Sequence, residues 1–202
     1  ISHDADAGTW IVSTHGASLT LALDPTHDFR LVGLVSPSGE RWTIDSLPDT
    51  SIQIGGQTIA FGSRSAGFVY QDVKTSVKGF TVRLDATFDL PSARLRVTRH
   101  YAATSGSPTF ETWTTFAAIS GVVNVSNLNA FRLTVMAGTI HWLTGLQGDD
   151  LNTKRDSAFT IQQRDLAIGA RLSLGASGRS SEETVPWFAI DGAAGEFFAG
   201  LL

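Results

Sequence analysis

The chain has 202 residues, 42% of them hydrophobic and 17% charged, with no cysteine and a formal net charge of −4. That apolar content over this length builds a core, which excludes a disordered segment. Twelve arginines and three lysines set against nineteen acids leave no basic face for a nucleic-acid backbone. No apolar run approaches the roughly 20 residues that span a bilayer, and the absence of cysteine removes disulfides, zinc thiolates and thiol nucleophiles together.

Period-2 alternation dominates from the start of the chain. Short strands are predicted over 9–15, 19–23 and 29–35, with Leu19, Leu21 and Leu23 on one face of the second. Further segments at 41–45, 50–54, 57–61 and 67–74 follow, and Gly55-Gly56 between two of them reads as a two-residue hairpin. A long strand then places Phe80, Val82, Leu84, Ala86 and Phe88 on one side and Thr81, Arg83, Asp85 and Thr87 on the other. In the next, Leu95, Val97 and Tyr101 oppose Arg94, Arg96, Thr98 and His100. Segments 109–118, 121–126, 130–136, 139–145, 158–164, 167–174, 185–191 and 196–202 complete about seventeen strands.

Turn signals at Pro37-Ser38-Gly39, Pro91-Ser92 and Ser105–Pro108 punctuate the pattern. No window carries a sustained 3.6-residue stripe, so the α/β classes lose their connecting helices. The fold expected is all-β: a large antiparallel two-sheet β-sandwich, with residues 1–202 as a single domain. Ile1 opens the chain, the sole methionine is Met136, and the chain ends in the apolar run Phe197-Phe-Ala-Gly-Leu-Leu202. These features give the expectation of a piece of a longer, processed protein, secreted or periplasmic. Arginine-rich, lysine-poor usage points to a bacterial source.

Chemistry-bearing motifs are sparse. A Gly-x-Ser-x-Gly elbow is missing, since Gly175-Ala-Ser177-Gly178 has its glycine one place early. Asp150-Leu-Asn152-Thr-Lys154-Arg155 starts like a calcium loop, but Arg155 stands where glycine is needed and Ile161 where a bidentate glutamate belongs. The five histidines lack ligand spacing. No metal and no cofactor are expected.

Two acid pairs, Asp149-Asp150 and Glu182-Glu183, read mainly as solvated loop charges, because neighbours on a strand face opposite ways. Asp149 and Asp150 keep a functional reading through the length and polarity of their loop. Tryptophan at a sheet end can stack on the C–H face of a pyranose. Trp142, beside the acidic loop, and Trp187, after Pro186, are the ones singled out. The candidate carbohydrate-binding residues are therefore Trp142, Asp149, Asp150 and Trp187, with no catalytic residue assigned.

Three segments together resemble family 36 glycoside hydrolases, the α-galactosidase (melibiase) group. They are Val97-Thr-Arg-His-Tyr101 followed by Gly106–Thr114, then Glu182-Glu-Thr-Val-Pro-Trp-Phe-Ala-Ile190, and Gly195-Glu-Phe-Phe-Ala-Gly-Leu-Leu202. The resemblance implies that family's N-terminal β-supersandwich, akin to galactose mutarotase. It also implies that catalysis belongs to a (β/α)8 barrel outside this chain, where two aspartates perform a retaining double displacement. No residue here matches the barrel motifs, so the catalytic pair is not carried over.

The function expected is thus a non-catalytic domain whose partner is that barrel, with carbohydrate as the ligand and neither nucleic acid nor membrane as a partner. The alternatives are a carbohydrate-binding module, or a free-standing mutarotase-like epimerase, for which His100 and Glu111 are the one tempting acid–base pair. A further expectation concerns the C-terminal hairpin. Phe197 and Phe198 are neighbours and must face opposite ways, so one side of the segment from Pro186 to Leu202 should await a covering domain.

Overall fold

The computed structural model describes residues 1–136, 138–145, 159–175, 182–193 and 195–201. Fifteen strands and a single 3-10 turn at Pro91–Ala93 make up their regular structure, without an α-helix among the described residues. All strand pairings are antiparallel, as the alternation predicts. The strands form four small sheets, however, where two large ones were expected. Alternation reports which face of a strand is buried; it carries no information on which strand lies beside it. The chain divides into two compact units, Ile1–Thr134 and Val135–Leu202.

The first unit holds three sheets. Strands β1 (Ser2–Asp4), β2 (Thr9–Thr14), β3 (Ala17–Leu23) and β4 (Phe29–Val35) form a meander. Strands β5 (Ser51–Ile54) and β6 (Gln57–Ala60) pair across the Gly55-Gly56 turn. The long meander β7 (Val69–Lys78), β8 (Thr81–Leu90), β9 (Leu95–Thr104) and β10 (Phe110–Ala118) follows, and β11 (Ser126–Asn129) joins the free side of β5. Bulges at Thr20/Leu21 and Tyr70/Asp72 interrupt the ladders and add local twist.

The core of this unit is where the β1–β4 and β7–β10 sheets face each other. Val12, Leu19 and Leu21 from one side and Leu84, Ala86 and Phe88 from the other are buried. Each large side chain of this kind contributes about 1.5–3 kcal/mol through burial. Aromatic rings knit the layers: Phe29 lies 5.8 Å from Phe88 and 6.2 Å from Tyr101, with Phe61 5.2 Å from Phe88. Gly62, at φ +69°, sits so close to this cluster that a Cβ would lie 2.7 Å from that of Phe29. The Thr14 hydroxyl, 2.8 Å from the carbonyl oxygens of both Thr104 and Ser107, ties the two sheets at one edge.

One inward position of β9 is charged. Arg99 shares the buried face with Val97 and Tyr101, and its guanidinium is completely enclosed. Its Nε and Nη2 donate to Asp49 Oδ2 at 3.1 and 2.9 Å, and Nη2 also reaches Thr112 Oγ1 and the Ala130 carbonyl. Nη1 donates to Thr114 Oγ1 at 3.1 Å, and the Tyr101 hydroxyl donates to Asp49 Oδ1 at 3.0 Å. A buried charge survives only when its donors are satisfied in this way.

The second unit is a single sheet in the order β13 (Ile161–Leu166), β12 (Gly138–Thr144), β14 (Thr184–Asp191), β15 (Glu196–Gly200). The β14–β15 hairpin forms where the sequence places it, with Asp191 opposite Glu196 and Trp187 opposite Gly200. Expected strands at 121–126, 130–136 and 167–174 do not form, and 41–45 is reduced to a bridge at Arg41.

Candidate functional site

The β12–β15 sheet sets its site residues by register. His141 lies opposite Ala189, Trp142 opposite Phe188, and Ala189 opposite Phe198. Since side chains alternate along a strand, one face carries His141, Leu143, Ile161, Trp187, Ala189, Asp191, Glu196 and Phe198. Trp142 shares the opposite face with Phe188 and Phe197, whose rings are 6.1 Å apart. The two tryptophans singled out from the sequence are therefore on opposite faces of one sheet. Asp149 and Asp150 lie outside the described residues.

The Trp187 face holds an open hollow of about 420 Å³, lined by His141, Leu143, Ile161, Trp187, Asp191 and Glu196 among others. Its floor is apolar and its rim at the hairpin turn is acidic. His141 Nε2 is 2.9 Å from Asp191 Oδ2; the carboxylate can only accept, so Nε2 carries the proton. Trp187 and Phe198 lie 6.2 Å apart and stay 38% and 57% exposed. An indole wall beside carboxylates suits a sugar ring or an apolar protein surface. Asp191 and Glu196 stand opposite each other on this rim, and Asp191 is the one hydrogen-bonded to His141.

A second polar constellation lies on the outward face of the β7–β10 sheet. His100 Nδ1 is 2.6 Å from Asp85 Oδ1 and His100 Nε2 is 2.9 Å from Thr115 Oγ1. Because the carboxylate accepts, the imidazole is protonated at Nδ1, and in its neutral form Nε2 accepts from the threonine hydroxyl. Arg83 holds the other side of Asp85 at 2.9 Å, and Trp113 stacks on the imidazole at 4.8 Å, 18° from parallel. Glu111, the acid paired with His100 in the epimerase alternative, is on the same face but stands opposite Ala102, one row along the sheet. Both nitrogens of His100 are engaged by other residues. Among the described residues, no three His, Asp or Glu side chains converge as a metal-ligand set, and no helix is long and apolar enough to cross a membrane.

The fold has solved counterparts. GH36 α-galactosidase AgaB from Geobacillus stearothermophilus superposes with a TM-score of 0.65 at 14% identity, over 96% of this chain and 32% of AgaB. The α-galactosidase AgaA of the same organism, as a variant in complex with stachyose, matches with a TM-score of 0.61 at 15% identity, over 92% of this chain and 32% of AgaA. A variant with 1-deoxygalactonojirimycin gives 0.60 over 90% of this chain. The chain has the fold of part of these enzymes. It spans about a third of the length of the α-galactosidases it matches. No family model matches the sequence, and no curated protein matches it significantly.

Sequence reasoning overlooked Arg99 and Asp49, and it missed the networks around Thr112, Thr114 and Thr115. The signal for the first was present: in the phase set by Val97 and Tyr101, Arg99 must point inward, and an inward arginine demands a buried acid.

Proposed function

We propose that residues 1–202 serve as one non-catalytic β-supersandwich domain of a carbohydrate-active enzyme resembling the α-galactosidases, flanking a (β/α)8 barrel that performs a retaining hydrolysis. The observation that carries this reading is the extent of the likeness: nearly the whole chain aligns with about a third of AgaB, so the remainder of such an enzyme is free to hold the chemistry. Fold alone does not assign activity. Two features of the chain add support. The three segments resembling the α-galactosidase group span β9–β10 and β14–β15, and the Trp187–Phe198 face of the second pair offers apolar surface to a covering domain.

In this reading the barrel supplies both carboxylates, and this chain supplies a rigid platform and a wall. The test is hydrolysis of nitrophenyl α-galactoside by the purified 202-residue chain and by the protein encoded by its complete gene. Release by the complete protein alone is expected. Release by the 202-residue chain, surviving contaminant controls, overturns the reading.

A further inference from the structure

We propose that the outward face of the β7–β10 sheet is a binding site for a neutral oligosaccharide, with Trp113 as its stacking platform. This site lies on a different sheet from the hollow around Trp187 and does not depend on the proposed parent enzyme. Single exposed aromatic residues are ordinary. What distinguishes Trp113 is that the residue is 39% exposed and its ring is yet held in place. It stacks on His100, which is fixed on both ring nitrogens by Asp85 and Thr115, and Asp85 is itself clamped by Arg83. A ring locked in this way loses little conformational freedom on binding, which is the cost that weakens most surface contacts.

The surroundings select the ligand class. Lys74 pairs with Asp72, Arg83 with Asp85 and Arg96 with Asp89, so the ionic groups of this face largely cancel and present no field for an anion. Glu111 makes no ion pair among the described residues. It is exposed and lies two residues from Trp113 on the same side of β10, about 7 Å along the strand. A carboxylate at that distance from an indole accepts from the vicinal hydroxyls of a pyranose whose C–H face lies on the ring. Thr115 stands at the matching distance on the other side. Strand β10 ends its sheet, so the line Glu111–Trp113–Thr115 follows an edge along which an extended saccharide chain can lie.

Affinity electrophoresis of the 202-residue chain through gels containing galactomannan, xyloglucan or hydroxyethylcellulose tests the site. Retardation of the wild type and of Trp187→Ala by at least one polysaccharide is expected. Trp113→Ala should bind about tenfold more weakly or worse, Trp113→Phe should be intermediate, and Glu111→Gln should weaken binding while preserving the unfolding midpoint. The last variant keeps the test decisive if Trp113→Ala does not fold. The proposal is overturned if the wild type is retarded in none of the gels, if Trp113→Ala and Glu111→Gln bind as the wild type does, or if Trp187→Ala alone abolishes retardation. Dimerisation that Trp113→Ala abolishes, with no retardation by any polysaccharide, would assign the face to a second copy of the chain and equally overturn it.

Discussion

Asp49 and Arg99 form an ion pair of 2.9 Å with side chains 2% and 1% exposed, joining a loop residue to the middle of β9 across fifty positions of sequence. Burial by itself disfavours the guanidinium charge, but the adjoining carboxylate more than offsets it and holds the arginine further toward its charged form. Removing one partner strands the other charge in the core. Asp49→Ala is therefore expected to cost about 3–5 kcal/mol. The double variant Asp49→Ala/Arg99→Met should cost clearly less than the sum of its single variants. Urea unfolding of the four proteins checks this, and additive losses would contradict it.

Tyr101 gives the same cluster a pH signature. Burial, and then the charge of Asp49, push its phenol well above the ordinary tyrosine range. The folded state thus holds the proton more tightly than the unfolded state. Its stabilising contribution is complete below the unfolded value of about pH 10 and is lost as pH rises above it, at up to about 1.4 kcal/mol per pH unit. Guanidinium unfolding at pH 8 and pH 11 should show a larger alkaline loss for the wild type than for Tyr101→Phe. Equal losses would contradict the account.

Gly62 marks a backbone constraint. Its φ of +69° disfavours any side chain, and the Cβ of Gly62→Ala would press on Phe29 at the centre of the aromatic cluster. A loss of about 1–3 kcal/mol is expected from the backbone conformation alone, with the clash adding to it. Gly55→Ala, also at positive φ but with open space around its Cβ, should lose less. Thermal unfolding of the two variants measures the difference, and the reverse order would contradict it.

Much of the fold is legible because alternation is a direct record of burial. Leu84, Ala86 and Phe88 are inward in the structure as in the sequence, yet Phe80, in phase with them, is 83% exposed. It occupies the two-residue turn Gly79-Phe80 between Lys78 and Thr81, where the strand pattern no longer applies. Strand β1 escaped notice because it is polar and exposed, and pairing with β2 alone defines it. The opposite error occurs at 130–136, an apolar run that is not a strand. There the Arg132 amide donates to the Asp49 carbonyl and the Thr134 carbonyl accepts from Ile44, pairing with loops in place of a ladder. Around the candidate site, the place of Trp187 in the β14–β15 hairpin was legible, whereas its neighbours His141 and Asp191 come together only through sheet register.

The exposed face of the β14–β15 hairpin separates docking from stability. Phe198→Asp changes a side chain that is 57% exposed, so in the 202-residue chain it should shift stability by no more than about 0.5 kcal/mol. On the proposed reading a barrel domain covers this face in the complete protein, so there the same change should lower the melting temperature and the hydrolysis of α-galactosides. A loss in the short chain as large as that of a core variant would place Phe198 in the interior of the unit and contradict the docking role.

The most direct test of the central claim is the size of the native polypeptide that contains this sequence. On the proposed reading, mass spectrometry of the protein from its source, located by peptides from β8 and β9, should find them in one chain roughly three times the 21.5 kDa of the 202 residues, in proportion to the third of AgaB that they match. Its added sequence should alternate strands and helices in the manner of a (β/α)8 barrel. A native chain of about 21.5 kDa, or a longer one whose remainder lacks that alternation, would contradict the assignment as an accessory domain of an α-galactosidase-like enzyme.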